Sequence, residues 1–259
     1  MSFEDYMAGR NADDYAEFLF PHLAPEFKVL DVGCGGGSIA LGVAEKVRSV
    51  VGVDHSDDGF GDAETYARVH AIGNVDFCVG DVYGLDFADN SFDACLCHSV
   101  AETLDRPQDA LLEVKRVLKP GGVLGIADVE YGGFIVGGPR SSLLRRSYSI
   151  REQLWTLKGT GGPYCGRELR GLLNGASFKD VTVTSKYLCY GTEDKVKTFG
   201  TRQVHYFQDG AFVQNAQEHA LATDDELKAI TEAWEEWSVS PDAYAAFAWC
   251  RAVGFKPEV

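Results

Sequence analysis

Short apolar runs alternate along this chain with longer stretches whose apolar positions fall three or four residues apart. Residues 27–31, 49–53, 75–79, 92–97 and 122–127 read as strands, and 37–48, 58–71 and 107–118 between them carry helical spacing. Regular alternation of strand and helix predicts an α/β fold with a parallel sheet covered on both faces. Before the first strand, Tyr6, Met7, Tyr15, Phe18, Leu19 and Phe20 lie among acids and predict an amphipathic helix over 4–20. Late in the chain 181–188 and 246–254 alternate as further strands. The residues between them read as helices, one opened by the capping box Thr223-Asp224-Asp225-Glu226 and followed by Leu227, Ile230, Trp234 and Trp237 at helical spacing. Those tryptophans are read as core.

The loop after the first strand carries the chemistry. Val29-Leu30-Asp31-Val32-Gly33-Cys34-Gly35-Gly36-Gly37 sets a carboxylate at the mouth of a glycine turn that starts a helix. Such turns bring backbone amides close to a ligand and commonly hold a dinucleotide pyrophosphate. An acid at that spot repels a pyrophosphate and attracts a sulfonium nucleoside, which carries a positive sulfur and an ammonium group. Asp31 therefore favours S-adenosylmethionine over NAD. Asp54 ends the second strand, 21 residues beyond Gly33, where a nucleoside ribose has its hydroxyls bound. It serves either cofactor.

The third strand leads into Asp81 and Val82, and here the chain resembles the class I S-adenosylmethionine-dependent methyltransferases, most closely the ubiquinone and menaquinone C-methyltransferase branch. The matching segments are VLDVGCGGG, VGVDHS, GDVYGLDFADNSFD and Leu118-Lys119-Pro120-Gly121-Gly122 before 123–128. The resemblance implies a Rossmann-like, seven-stranded, mostly parallel sheet with an antiparallel last strand, helices on both faces and a helical insertion between the last two strands. It implies one domain over 1–259: an N-terminal cover helix in 1–25, a cofactor core at 26–130, a flap or lid at 131–175, the helical insertion at 190–240 and the last strand at 246–255. It also implies that Asp31, Gly33, Gly35 and Gly37 surround the methionine part of the cofactor. Asp54 would hold the ribose, and His55, Asp81 and Val82 would meet the adenine. His98, just past the fourth strand, would complete the cofactor wall and is also the first candidate for a general base, with Tyr131 and Glu130 as weaker ones.

Composition narrows the acceptor. A net charge of −15 over 259 residues opposes binding to nucleic acid and leaves a small molecule as the expected substrate. The seven cysteines form no Cys-x-x-Cys pair, so no metal is expected, and they read as reduced thiols of a cytoplasmic protein. No 18-residue apolar span suggests a membrane segment; a homodimer is left open. Residues 132–139 place glycine pairs around an apolar tip and read as a hinged flap. The basic balance reverses over 130–170, with seven Lys or Arg against three acids. Either Arg140, Arg145 or Arg146 binds an anionic group of the substrate, or these residues form a solvated face paired with the acidic stretch at 193–236. The expected activity is methyl transfer to a small molecule. The alternatives are non-methylating chemistry on the same fold (cyclisation, decarboxylation or hydroxylation) and a non-catalytic, cofactor-binding partner protein.

Overall fold

In the computed structural model, residues 10–258 are described. The strands are β1 (Lys28–Val32), β2 (Ser49–Asp54), β3 (Val75–Val79), β4 (Phe92–His98), β5 (Leu118–Gly137), β6 (Lys179–Tyr190) and β7 (Tyr244–Phe255). The helices are α1 (Ala12–Tyr15), α2 (Ser38–Ala44), α3 (Phe60–Val69), α4 (Pro107–Val117), α5 (Ser141–Thr156), α6 (Cys165–Gly175), α7 (Glu193–Gln208), α8 (Gly210–Glu218) and α9 (Asp224–Ser238). The seven strands join in the order β3-β2-β1-β4-β5-β7-β6. β1 pairs in parallel with β2 and β4, β2 with β3, and β4 with β5. β7 is antiparallel to β5: near the start of β5 the Gly121 N–H donates to the carbonyl of Lys256, just past the end of β7, and the Lys256 N–H donates to the Gly122 carbonyl. The chain leaves β1 toward β2 and β3 and then returns to place β4 on its other side. That reversal opens a crevice beyond the carboxyl ends of β1 and β4, where such sheets bind ligands.

Contacts divide the described chain into two compact units, one formed by residues up to 129 with 165–185 and 250 onward, the other by 130–164 and 186–249. In the first unit Leu30, Val32, Leu96, Leu124 and Ile126 are buried, as expected for strands covered on both sides. Pro107 occupies the first turn of α4, where its missing N–H costs nothing, and Arg116 near the end of that helix binds the carbonyls of Leu85 and Phe87. The second unit is built around aromatic rings: Phe199, Phe207, Trp234 and Trp237 are fully buried. Thr223 caps α9 by accepting from the Glu226 N–H, as the capping pattern predicts.

Two expectations are corrected. The cover helix over 4–20 falls partly outside the described residues; within them the helix is only Ala12–Tyr15, begun by an Asn11 cap, followed by turns and a 3-10 segment at Phe20–His22 with Pro21. The flap expected at 132–139 is instead the continuation of β5 through Gly137. Its glycines answer to packing: a Cβ at Gly133 would lie 2.5 Å from the Ala248 Cβ on β7. The Gly137 carbonyl accepts from Trp237 Nε1 at 2.7 Å, and Gly138 makes the turn out of the strand at φ +99°.

Candidate functional site

The glycine loop after β1 is held by its neighbour strand. The N–H groups of Gly33 and Cys34 both donate to the Val53 carbonyl, at 2.8 and 3.1 Å. Gly33 and Gly37 adopt φ +69° and +79°, and a Cβ would meet Val100 Cγ2 at 2.4 Å in the first case and the Phe77 ring at 2.6 Å in the second. The loop therefore requires glycine for both its conformation and its closeness to neighbours. Gly35 donates its N–H to Asp54 Oδ2 at 2.7 Å, which ties the loop to the end of β2.

Asp31 sits in this frame with its side chain buried, and among the described residues its Oδ2 has no hydrogen-bond partner. Burial pushes its carboxyl up to about 7; Arg10 opposes that rise and Asp54 adds to it. A buried acceptor left unsatisfied is costly unless a ligand completes it. A cation or a hydrogen-bond donor would complete it, and the ammonium of a sulfonium nucleoside fits that requirement. Asp54 meets His55 Nδ1 at 2.7 Å on its other oxygen, and the His55 ring is exposed. Asp81 is an exposed carboxylate whose Oδ1 accepts from the Tyr83 N–H at 2.9 Å, and Val82 beside it packs against the core. These residues, with His98, all belong to the first unit and stand at or just past the ends of β1, β2, β3 and β4.

The environment of His98 argues against the base role considered for it. Arg10 Nη2 lies 2.8 Å from its Nδ1, and a guanidinium can only donate, so Nδ1 is the accepting nitrogen and the ring is neutral. Burial first, and the Arg10 charge second, push its pKa well below the usual histidine value. Tyr15 packs edge-on against the ring at 4.9 Å between centroids. Protonating Nδ1 would set two cations face to face. Arg10 and Tyr15 carry no local sequence signal for this role, since nothing near residue 10 points 88 positions along the chain.

A buried acid pair lies next to His98. Glu102 accepts from Ser99 Oγ at 2.8 Å and from the Val129 N–H at 2.9 Å, while its own N–H donates to Asp128 Oδ1 at 3.0 Å. Burial and then the Glu102 charge hold the Asp128 carboxyl well above its usual range. This pair fixes the turn after β4 against β5. Asp128 anchors this turn through Oδ1, and its Oδ2 is buried without a hydrogen-bond partner among the described residues.

The remaining candidates belong to the second unit. Tyr131 is buried in an aromatic cluster with Tyr148, Trp155 and Phe247. Arg146 pairs with Glu226 at 2.8 Å and donates to the Leu221 carbonyl at 2.6 Å, which is the pairing with the acidic stretch that sequence allowed. Arg140 and Arg145 are exposed, Arg140 at φ +51° just before α5.

Residues 30–126, from β1 to the buried part of β5, match the family described as Methyltransferase domain. Over these residues the chain is similar to the class I S-adenosylmethionine-dependent methyltransferases. A Schizosaccharomyces pombe protein named an uncharacterized methyltransferase is 28% identical over 89% of this chain and 84% of its own length. A protein of Aspergillus luteorubrus named the probable methyltransferase ltbC is 28% identical over 95% of this chain and 92% of its own. The crystal structure of YcgJ from Bacillus subtilis has the same fold, with a TM-score of 0.61 at 22% identity, covering 94% of this chain and 98% of that one. The quinone branch is only distantly supported: two quinone methyltransferases match 39% and 42% of the chain, which is little more than the shared core. The match and the names of the full-length relatives support S-adenosylmethionine-dependent methyl transfer as the chain's activity.

Proposed function

We propose that this methyltransferase binds S-adenosylmethionine through Asp31, the glycine loop, Asp54, and the Asp81-Val82 turn, and methylates a small molecule in a reducing compartment such as the cytoplasm. The observation that carries the cofactor assignment is the buried, unpartnered Oδ2 of Asp31 at the carboxyl end of β1. When bound, the cofactor supplies an electrophilic methyl group on a positively charged sulfur. Asp31 binds and orients the ammonium end, the amides of the 33–37 loop bring the backbone close to it, and Asp54, already fixed by the Gly35 N–H, accepts from the ribose hydroxyls. Asp81 accepts from the adenine amino group, with His55 and Val82 as walls.

His98 acts in this reading as a neutral positioning residue whose Nδ1 is occupied by Arg10, and not as a general base. Proximity and alignment then supply most of the rate. The small-molecule assignment is supported by the net charge of −15, which disfavours a polyanionic partner. Among the described residues no helix is long and apolar enough to cross a membrane, and all seven cysteines are free thiols. Titration calorimetry with S-adenosylmethionine, S-adenosylhomocysteine and NADH tests the cofactor site. Binding of NADH without either sulfur nucleoside would overturn it. Release of S-adenosylhomocysteine in the presence of acceptor separates methyl transfer from non-methylating chemistry.

A further inference from the structure

The second unit contains a cavity of about 540 Å³ formed by α5, the end of α7, and α8. This volume suits a small organic ligand. Arg151 is among its lining residues, and its Nη1 donates to Tyr148 Oη and to Gln203 Oε1, both at 3.1 Å. The guanidinium carbon stands 4.0 Å from the centroid of the Tyr206 ring, 4.9 Å from Tyr148 and 5.6 Å from Tyr131. Every one of these partners is uncharged. Three other half-buried arginines meet carboxylates: Arg116 pairs with Glu113 and Asp89, Arg146 with Glu226, and Arg251 with Glu17; Arg10 meets His98 instead. Among the described residues no carboxylate pairs with Arg151. A cation withdrawn from water without a counterion is unfavourable, and an anion entering the cavity would relieve it.

The rest of the lining fits that anion and adds an apolar requirement. Lys158 and His219 are exposed on the cavity wall. One acid lines it, Asp209, whose Oδ1 accepts from the Phe212 N–H at 3.0 Å to cap α8. Trp155, Tyr206 and Phe212 present ring surface, with Tyr206 and Phe212 in contact at 4.9 Å between centroids. Guanidinium groups recognise carboxylate and phosphate by paired donors, and flat aromatic walls accept a planar apolar body.

We propose that this cavity is a binding site for an anionic aromatic small molecule whose carboxylate or phosphate pairs with Arg151 while its ring system lies against Trp155, Tyr206 and Phe212. The inference goes beyond the proposed cofactor site, which lies in the other unit, and does not depend on it.

Calorimetry on the full chain with 2-naphthoate, 2-naphthyl phosphate and the neutral 2-naphthamide tests it. At least one acid binds about tenfold or more tightly than the amide, and the stronger of the two acids identifies the head group. Arg151→Gln abolishes that preference. Because a buried position can disturb folding, Lys158→Glu, at an exposed position, and Arg151→Lys, which keeps the charge and loses the fork, are measured beside it. Each weakens acid binding by about threefold or more. S-adenosylhomocysteine affinity is measured on the same proteins and stays unchanged, which also reports that they are folded. Equal affinity for acid and amide, absence of binding by either acid at millimolar concentration, or indifference to both Lys158→Glu and Arg151→Lys overturns the proposal. Failure to bind S-adenosylhomocysteine in the wild-type chain would instead overturn the cofactor reading alone.

Discussion

If Asp31 holds the cofactor's ammonium group as proposed, cofactor affinity depends on pH in a way that can be worked from the structure. Burial pushes its carboxyl in the free protein up to about 7. The cofactor's ammonium group is complementary only to the ionised form, so binding must expel the proton from whatever fraction of Asp31 carries it. The apparent dissociation constant is then the intrinsic one multiplied by 1 + 10^(pKa − pH). Between pH 7.0 and pH 5.5 this factor grows from about 2 to about 33, a weakening of roughly 16-fold or about 1.6 kcal/mol. The window stays below the range in which an α-amino group titrates, so the ligand keeps its charge throughout. Calorimetry with S-adenosylhomocysteine in buffers of different ionisation enthalpy reads both the affinity and the protons released, about half a proton at pH 7.0. Asp31→Asn, which cannot ionise, loses both the affinity and the slope, and His55→Gln keeps the slope. A flat profile in the wild-type protein, or an unchanged slope in Asp31→Asn, refutes the reasoning. The same shift acts on folding with a definite sign. The folded carboxyl binds its proton more tightly than the unfolded one, so its contribution is complete below about 4 and is lost as pH rises through about 7, up to about 4 kcal/mol. Without ligand, thermal melts should therefore show Asp31→Asn gaining on the wild type as pH is raised from 5 to 8.

Further outcomes follow from the same geometry. Asp54→Ala removes the Gly35 anchor together with the ribose acceptor and should weaken S-adenosylhomocysteine binding by about 1.5 to 3 kcal/mol in calorimetry, with the fold retained by circular dichroism. His98→Ala should weaken cofactor binding along with turnover, and the pH–rate profile should show no histidine limb; a loss of turnover by about 10² or more at unchanged cofactor affinity would restore the base role. Gly37→Ala forces a Cβ against Phe77 in a left-handed backbone and should cost about 2 to 3 kcal/mol in denaturant unfolding, whereas Gly61→Ala, where a Cβ meets open space, should be neutral or stabilising. Trp234→Ala should destabilise by about 3 to 5 kcal/mol, since the ring is fully buried and its Nε1 donates to Ser147 Oγ.

Most of the α/β sheet core was legible from local order. The period of the apolar residues predicts each strand to within a few residues except for the length of β5, and the glycine turn, Asp31 and Asp54 announce themselves because backbone freedom and charge are needed at fixed spacings from a strand end. Trp234 and Trp237 could be assigned to the core from helical spacing alone, and they are. What sequence left open is what depends on a partner distant in the chain. Residues 132–137 carry the glycines of a hinge, and only the approach of Ala248 on β7 decides that they are strand. His98 has the position and ordinary pKa of a base until Arg10, 88 residues earlier, takes its Nδ1. Arg146 and Arg151 are similar basic residues on one helix, yet Glu226 satisfies the first while tyrosines and a glutamine surround the second. Periodicity and turn chemistry act over a few residues and therefore survive in the linear pattern. Burial, counterion and tautomer belong to the environment assembled around a side chain, and that environment exists only once the chain has folded.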